Sequence, residues 1–325
     1  MPQTRHRCAL AQEIMRHHLQ LALQPDALQR LSLCGTTLSQ TATDQALTHT
    51  ETVRLAVIAA CQALDFIDAD AICIAQAWQV QTERTGTFDA SAWPVEPADF
   101  GLQPLPRENA FAPCPHQLGL YAVLPDAHWV GRMARAGVPT LQLRFKSDDA
   151  SAISREVHAA VQTVRGTDAL LFINDHWENA LEAGAYGVHL GQEDLAGLSS
   201  TQLAAIRNAG LRLGVSSHGY AEMLRADAVS PSYIAMGAVY ATTLKRMTTP
   251  PQGPTRLKMY TKLLRDRPTV AIGGLDATRL PEVLASGVGS VAVVRALVAA
   301  DRPEAHAAEL QKILATHLVK ARCLP

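Results

Sequence analysis

From about residue 118 onward the chain alternates apolar, strand-like runs with helix-period segments, eight times over. The runs are 118–124, 140–145, 169–174, 187–190, 212–216, 233–240, 269–272 and 290–294. Helical periodicity fills the intervals, at 127–136, 149–164, 176–184, 199–209, 219–227, 255–265, 277–286 and 304–317. Strands separated by helices must run parallel with right-handed crossovers. Eight such units in about 200 residues fit a closed α/β architecture, the (β/α)8 TIM barrel, at the compact end of its size range. An open doubly wound sheet is the competitor, and the count of eight disfavours it. In such a barrel, chemistry sits at the carboxyl ends of the strands.

The first third of the 325 residues differs in kind. No lysine precedes Lys146, and five of the six cysteines lie before residue 115. Residues 1–116 hold 7 Arg against 12 Asp and Glu, a balance of −5. The expected division is a mainly helical N-terminal extension, 1–115, and a barrel, 116–325. Leu47–Gln81 reads as one or two helices, because Leu55, Val57, Ile58, Ala63 and Leu64 fall near helical spacing. Thr85–Pro115 is rich in Pro, Gly, Ala and Asp and reads as a linker or an irregular wrap.

The net charge of −1 gives no reason to expect nucleic acid or an acidic membrane as partner. No apolar run approaches the ~18 residues of a membrane span. His17, His18 and Gln20 interrupt the start, so no signal peptide is expected, and the default compartment is the cytoplasm. No Cys-x-x-Cys pair occurs, which argues against a zinc ribbon or a thioredoxin-like site.

The strand ends carry the chemistry. Strand 2 runs into Gln142, Arg144 and Lys146, which alternate and would share one strand face. They form either a solvated edge or a clamp for a multiply charged phosphate. Two cations inside a barrel are costly without an anion, which favours the clamp. Strand 3 ends in Asn174-Asp175, and strand 4 is followed by Glu193-Asp194. Asp175 and Asp194 either cap the following helices or face one another. Beside a diphosphate, facing carboxylates suit Mg2+, which takes one or two carboxylates plus phosphate oxygens and keeps several waters.

Strand 5 ends near Ser216, which would bond a substrate or cap a helix. His176, His189 and His218 fit no metal spacing and read as structural histidines. The loop after strand 6 carries Thr242, Thr243 and Lys245 and has the length of a lid. Gly273-Gly274 after strand 7 lets backbone N–H groups approach a phosphate, and Val294-Arg295 follows strand 8. One mouth thus gathers a cationic site with paired carboxylates and a glycine-based site for a phosphate monoester. Those features point to a transferase acting on a diphosphate and a second phosphorylated substrate.

Seven segments in order, Leu141–Lys146, Leu171–Asp175, Tyr186–Leu195, Leu213–His218, Tyr233–Lys245, Val270–Gly274 and Gly289–Val294, resemble the thiamine phosphate synthase family. The resemblance covers the barrel alone. It implies an enzyme that condenses aminomethylpyrimidine diphosphate with methylthiazole phosphate, or its carboxylated form, releasing diphosphate. Such an enzyme transfers a pyrimidinylmethyl group. By the resemblance, Gln142, Arg144, Lys146, Asn174, Ser216 and Lys245 hold the pyrimidine diphosphate. Of these, Arg144, Lys146, Lys245 and Ser216 are the catalytic set. Asp175 and Asp194 are the implied Mg2+ ligands. Thr242, Thr243, Gly274, Val294 and Arg295 fall to the thiazole phosphate.

Two positions depart from the family pattern: Leu244 stands where a hydroxyl residue is usual, and Arg295 where Ser is usual. The alternative is a non-catalytic or tautomerase-like regulatory barrel, which need not keep the diphosphate set together. An isomerase barrel is more distant, since no catalytic acid–base pair stands out. Partners are expected to be the small-molecule substrates, with room for a homo-oligomer. In the extension, Cys34–Ser39 faintly resembles part of the pyrimidine kinases, without their glycine-rich anion hole or catalytic Asp. A degenerate remnant or a helical packing module is the expectation there.

Overall fold

Eight apolar runs pair side by side as parallel strands, and the last returns to the first. The computed structural model describes residues 2–27, 48–242 and 249–322, with side chains from 5 to 317. The strands are β1 (Gly119–Leu124), β2 (Thr140–Leu143), β3 (Leu170–Asn174), β4 (Gly187–Leu190), β5 (Arg212–Ser217), β6 (Tyr233–Met236), β7 (Thr269–Ile272) and β8 (Ser290–Val293). They close in sequence order, with Tyr121 of β1 opposite Ala292 of β8. This is the expected TIM barrel.

Inward parity on these strands builds the barrel interior. Tyr121, Val123, Phe172, Tyr233, Ala235, Val270 and Ala292 form a buried cluster. Tyr233 and Phe172 pack edge to face with ring centres 5.2 Å apart, and Tyr121 lies 5.9 Å from Tyr233. Such pairs add about 0.5–1.5 kcal/mol beyond area burial. Glycine makes room for them: a Cβ on Gly214 would meet Tyr233 Cζ at 2.1 Å, and one on Gly187 would meet Phe172 at 2.6 Å.

Two strands stop two or more residues short of their apolar runs. β2 stops at Leu143; the Arg144 N–H still bonds Leu124 O at 2.8 Å, and the charged residues then leave the ladder. Gln142 thus lies within the strand, and Arg144 and Lys146 lie just beyond its end. β6 stops at Met236 because Gly237 presses on β7, where a Cβ would meet Ile272 O at 2.3 Å. Val239 and Tyr240 nonetheless bond Ile272 O and Gly273 O at 2.9 and 3.0 Å. Short helices at Gln192–Gly197 and Arg295–Val298 sit where the periodicity is too brief to show them.

By compactness the chain divides into two units. The barrel unit comprises Pro104–His218 and Arg225–Pro325, and the other Met1–Gln103 with Gly219–Leu224. Within the barrel unit, the strap before β1 is stitched down by polar bonds. Arg107 Nη2 lies 2.6 Å from Asp227 Oδ2, and Arg267 also pairs with that buried carboxylate. Phe111 N–H donates to Ser230 O at 3.0 Å, and Ser232 Oγ donates to Ala112 O at 2.6 Å.

The other unit is helical, with α1 (Pro2–His18), α2 (His49–Ala63) and α3 (Asp68–Thr85). The pair α2 and α3 occupies the stretch read as one or two helices. α1 escaped the sequence reading, although Ala11, Ile14, Met15 and His18 are buried at i, i+3, i+4 and i+7. His18, Phe66, Trp78, Trp93 and Tyr220 pack as an aromatic cluster, and Trp93 Nε1 donates to Tyr220 Oη at 2.9 Å. Burial lowers the His18 pKa, and its Nε2 lies 3.0 Å from Ala90 O. Cys34–Ser39 lies outside the described residues. Among the described residues, no helix is long and apolar enough to cross a membrane.

Candidate active site

Parallel closure brings all eight strand ends to one mouth, and a cavity of about 600 Å³ opens there. Gln142, Arg144, Lys146, Asn174, Asp175, Asp194, Ser216, Thr242, Gly274, Val294 and Arg295 all line it. Thr243 and Lys245 lie outside the described residues. Residues up to Ser216 come from the ends of β2 to β5, and those from Thr242 onward follow β6 to β8. The two anion sites read from the sequence therefore occupy different arcs of one ring.

On the first arc, Gln142 and Asn174 are buried, with Gln142 Nε2 donating to Asn174 Oδ1 at 3.2 Å. Lys146 Nζ lies 2.6 Å from Asp175 Oδ2. Asp175 adopts φ 64°, a left-handed conformation that non-glycine residues seldom take. Its N–H donates to His189 O at 3.0 Å, tying the end of β3 to β4. The helix after it, Trp177–Ala183, has no side-chain cap, so Asp175 is not a helix cap. Asp194 does reach back to cap its own helix, accepting from Gly191 N–H at 3.2 Å.

Asp194 also faces Asp175. Desolvation at the cavity wall, and then the neighbouring Asp175 carboxylate, raise its pKa above the usual carboxylate range. Among the described residues, no group of three or more His, Cys, Asp or Glu gathers as a closed metal cage. A facing pair at an open mouth is nonetheless what Mg2+ needs when substrate phosphates and waters complete its shell. The donor set fits that ion.

On the second arc, Gly273 and Gly274 turn with φ 107° and 63°. A Cβ on Gly274 would meet Ala241 O at 2.7 Å, so glycine alone fits the close passage after β6 and β7. Val294 and Arg295 begin the short helix after β8.

Several lining residues escaped the sequence reading. Arg279 donates to Gly274 O and lies over the Tyr240 ring, 4.7 Å from its centre. Asp276 stands beside it at 3.8 Å. No spacing rule flags an arginine on the helical side of a glycine turn. His189 read as structural; its ring is buried and bonded at both nitrogens, yet it also lines the cavity. Inward parity at the end of β4 was the available signal.

A family profile described as thiamine monophosphate synthase matches residues 120–297. The thiamine-phosphate synthase of Neisseria gonorrhoeae is 51% identical over 195 residues, covering 60% of this chain and 94% of that protein. That of Serratia proteamaculans is 49% identical over 204 residues, covering 63% and 95%. A solved thiamine phosphate pyrophosphorylase from Pyrococcus furiosus is 28% identical with a TM-score of 0.53, covering 62% of this chain and 97% of that one. The barrel, its mouth and these relatives together establish that the chain belongs to the thiamine monophosphate synthase family.

Proposed function

We propose that the barrel is a working synthase, joining a 4-amino-2-methylpyrimidinylmethyl diphosphate to a methylthiazole phosphate to give thiamine phosphate and diphosphate. The observation that carries this reading is the single cavity. A cationic arc with paired carboxylates and a glycine-turn arc line the same space, as a two-substrate condensation requires. A regulatory barrel needs no such pairing.

Substrate is held by the chain's own groups. The Gln142 and Asn174 amides read the aminopyrimidine edge. Arg144 and Lys146 bind the diphosphate, with Ser216 donating from the other side. The Gly273–Gly274 turn and the Val294–Arg295 backbone take the thiazole phosphate through N–H groups, and the Arg295 side chain adds positive charge beside it. In the reaction the C–O bond to diphosphate breaks, and the leaving group departs with the electron pair. The pyrimidinylmethyl cation is stabilised by its amino-substituted ring. The thiazole nitrogen then donates its lone pair to the CH2 carbon, forming the new C–N bond.

No enzyme nucleophile is required. Asp175 and Asp194 would hold Mg2+, which supplies charge stabilisation to the departing diphosphate.

The test incubates the full chain with both substrates and Mg2+ and measures thiamine phosphate and diphosphate. Equimolar formation of the two supports the reading. Binding of the thiazole phosphate with no product formed would favour the regulatory barrel.

A further inference from the structure

The barrel interior holds a hydrogen-bond chain that ends at the cavity. Tyr121 Oη lies 2.7 Å from Tyr233 Oη, which lies 2.7 Å from His189 Nδ1. His189 Nε2 in turn lies 2.8 Å from Ser216 Oγ. Four groups from β1, β6, β4 and β5 are thus linked in series. The two phenols are fully buried, and Ser216 lines the cavity.

Counting donors sets the direction of this chain. The two phenols bring two hydrogens that must find acceptors, because an unpaired buried donor costs free energy. The oxygen of one phenol and Nδ1 of His189 accept both, provided Nδ1 carries no proton. Tyr121 then donates to Tyr233, and Tyr233 donates to Nδ1. If Nδ1 carried a proton, it would donate to Tyr233, and one phenol hydrogen would be stranded. Two hydrogens cannot lie on the same O–O line. Val123, Phe172, Val270 and Ala292 surround the phenols, and the Cys114 thiol packed against the same cluster is engaged with Ser232 O at 3.1 Å. The neutral ring therefore keeps its proton on Nε2, which donates to Ser216 Oγ. With its oxygen engaged as acceptor there, Ser216 has its own hydrogen to direct into the cavity.

A second contact holds the same residue from behind. Gln192 Nε2 donates to Ser216 O at 2.7 Å. Main chain and hydroxyl are both restrained, which is the condition for a preorganised donor.

We propose that Tyr233 and His189, with Tyr121 behind them, are positioning residues that lock Ser216 as a hydrogen-bond donor toward the anionic leaving group. The proposal deepens the synthase reading and rests on it for the identity of the group Ser216 faces. The tautomer itself belongs to the ligand-free chain and is independent of that reading.

The first experiment is long-range 1H–15N correlation on the full chain labelled in its histidines, with His189 assigned by its loss in His189→Asn. The expected pattern is a neutral ring with Nε2 protonated and Nδ1 bare. A proton on Nδ1, alone or together with Nε2, overturns the proposal whether or not thiamine phosphate is formed. The second is a double-mutant cycle of Tyr233→Phe with Ser216→Ala. Tyr233→Phe alone is expected to lower kcat/KM for the pyrimidine diphosphate about tenfold, the scale of one hydrogen bond to a charged acceptor. KM for the thiazole phosphate should hold. In the Ser216→Ala background the same change should have no further effect. Equal losses in both backgrounds, or a parallel rise in both KM values, would mean that Tyr233 is only core. If Tyr233→Phe fails to fold, the spectrum of the unaltered chain still decides. The expected tautomer in a chain that forms no thiamine phosphate would instead retire the synthase reading and leave the hydrogen-bond chain standing.

Discussion

Lys146 Nζ and Asp175 Oδ2 stand 2.6 Å apart, joining the ends of β2 and β3 at the cavity mouth. The Lys146 side chain is 56% exposed, and pairs of that kind contribute little stability, about 0–1 kcal/mol. The pair is therefore cheap to open when a diphosphate offers Lys146 a better anion and a divalent cation offers Asp175 a better charge. Replacing Asp175 tests that exchange. Asp175→Asn should lower turnover by about three decades, the scale of several kcal/mol of charge stabilisation, with little change in folding stability. Steady-state rates against Mg2+ concentration check it, and near-normal turnover would remove Asp175 from the metal site.

Arg144 directly follows the last residue of β2 and lines the cavity. Arg144→Ala should raise KM for the pyrimidine diphosphate about 10- to 100-fold, because a charge-assisted bond is worth about 1.5–3 kcal/mol. KM for the thiazole phosphate should not move. Two-substrate kinetics separates the arcs, and a shift confined to the thiazole side would contradict the assignment.

Gly274 has no room for a side chain and sits at φ 63°. Gly274→Ala should strain the turn and displace the N–H groups of the second arc. The expected result is weaker thiazole phosphate binding, with a stability loss of about 1–3 kcal/mol. Calorimetric titration with the thiazole phosphate and thermal melts read the two effects separately.

Asp227 is buried between Arg107 and Arg267 and does not line the cavity. Asp227→Ala should cost about 3–5 kcal/mol, since it removes the buried carboxylate with which both guanidinium groups pair. Urea unfolding should show the loss, while turnover well below the melting temperature should survive. A matching loss of turnover would show that the strap also shapes the mouth.

Cys114 is half-buried in the same strap, and its thiol lies 3.1 Å from Ser232 O. Burial pushes its pKa up to about 12. The thiolate is the reactive species, so alkylation near about pH 8 should be slow and should rise with pH toward that value. Mass spectrometry of iodoacetamide-treated native chain checks it, with the denatured chain as the fast reference. Rapid native alkylation would mean that the strap opens readily.

The strand–helix alternation and the order of the loop motifs were enough to read the barrel, because periodicities of 2 and 3.6 are local properties that a sequence displays directly. The pair α2 and α3 was readable for the same reason, and α1 carried the pattern too. What the alternation did not disclose was where each strand stops. β2 and β6 end early because Arg144 turns to the mouth and Gly237 presses on Ile272 O, and both contacts are between segments distant in sequence.

The sequence by itself determined the closed ring, and with it that residues from eight separate loops must share one mouth. Only the tertiary structure decided which of their atoms meet. Lys146 on Asp175 and the series from Tyr121 to Ser216 depend on distances across the ring. Side-chain identity along one strand constrains which face a group occupies. The hydrogen bonds it makes are set by neighbours that only closure of the barrel brings within reach.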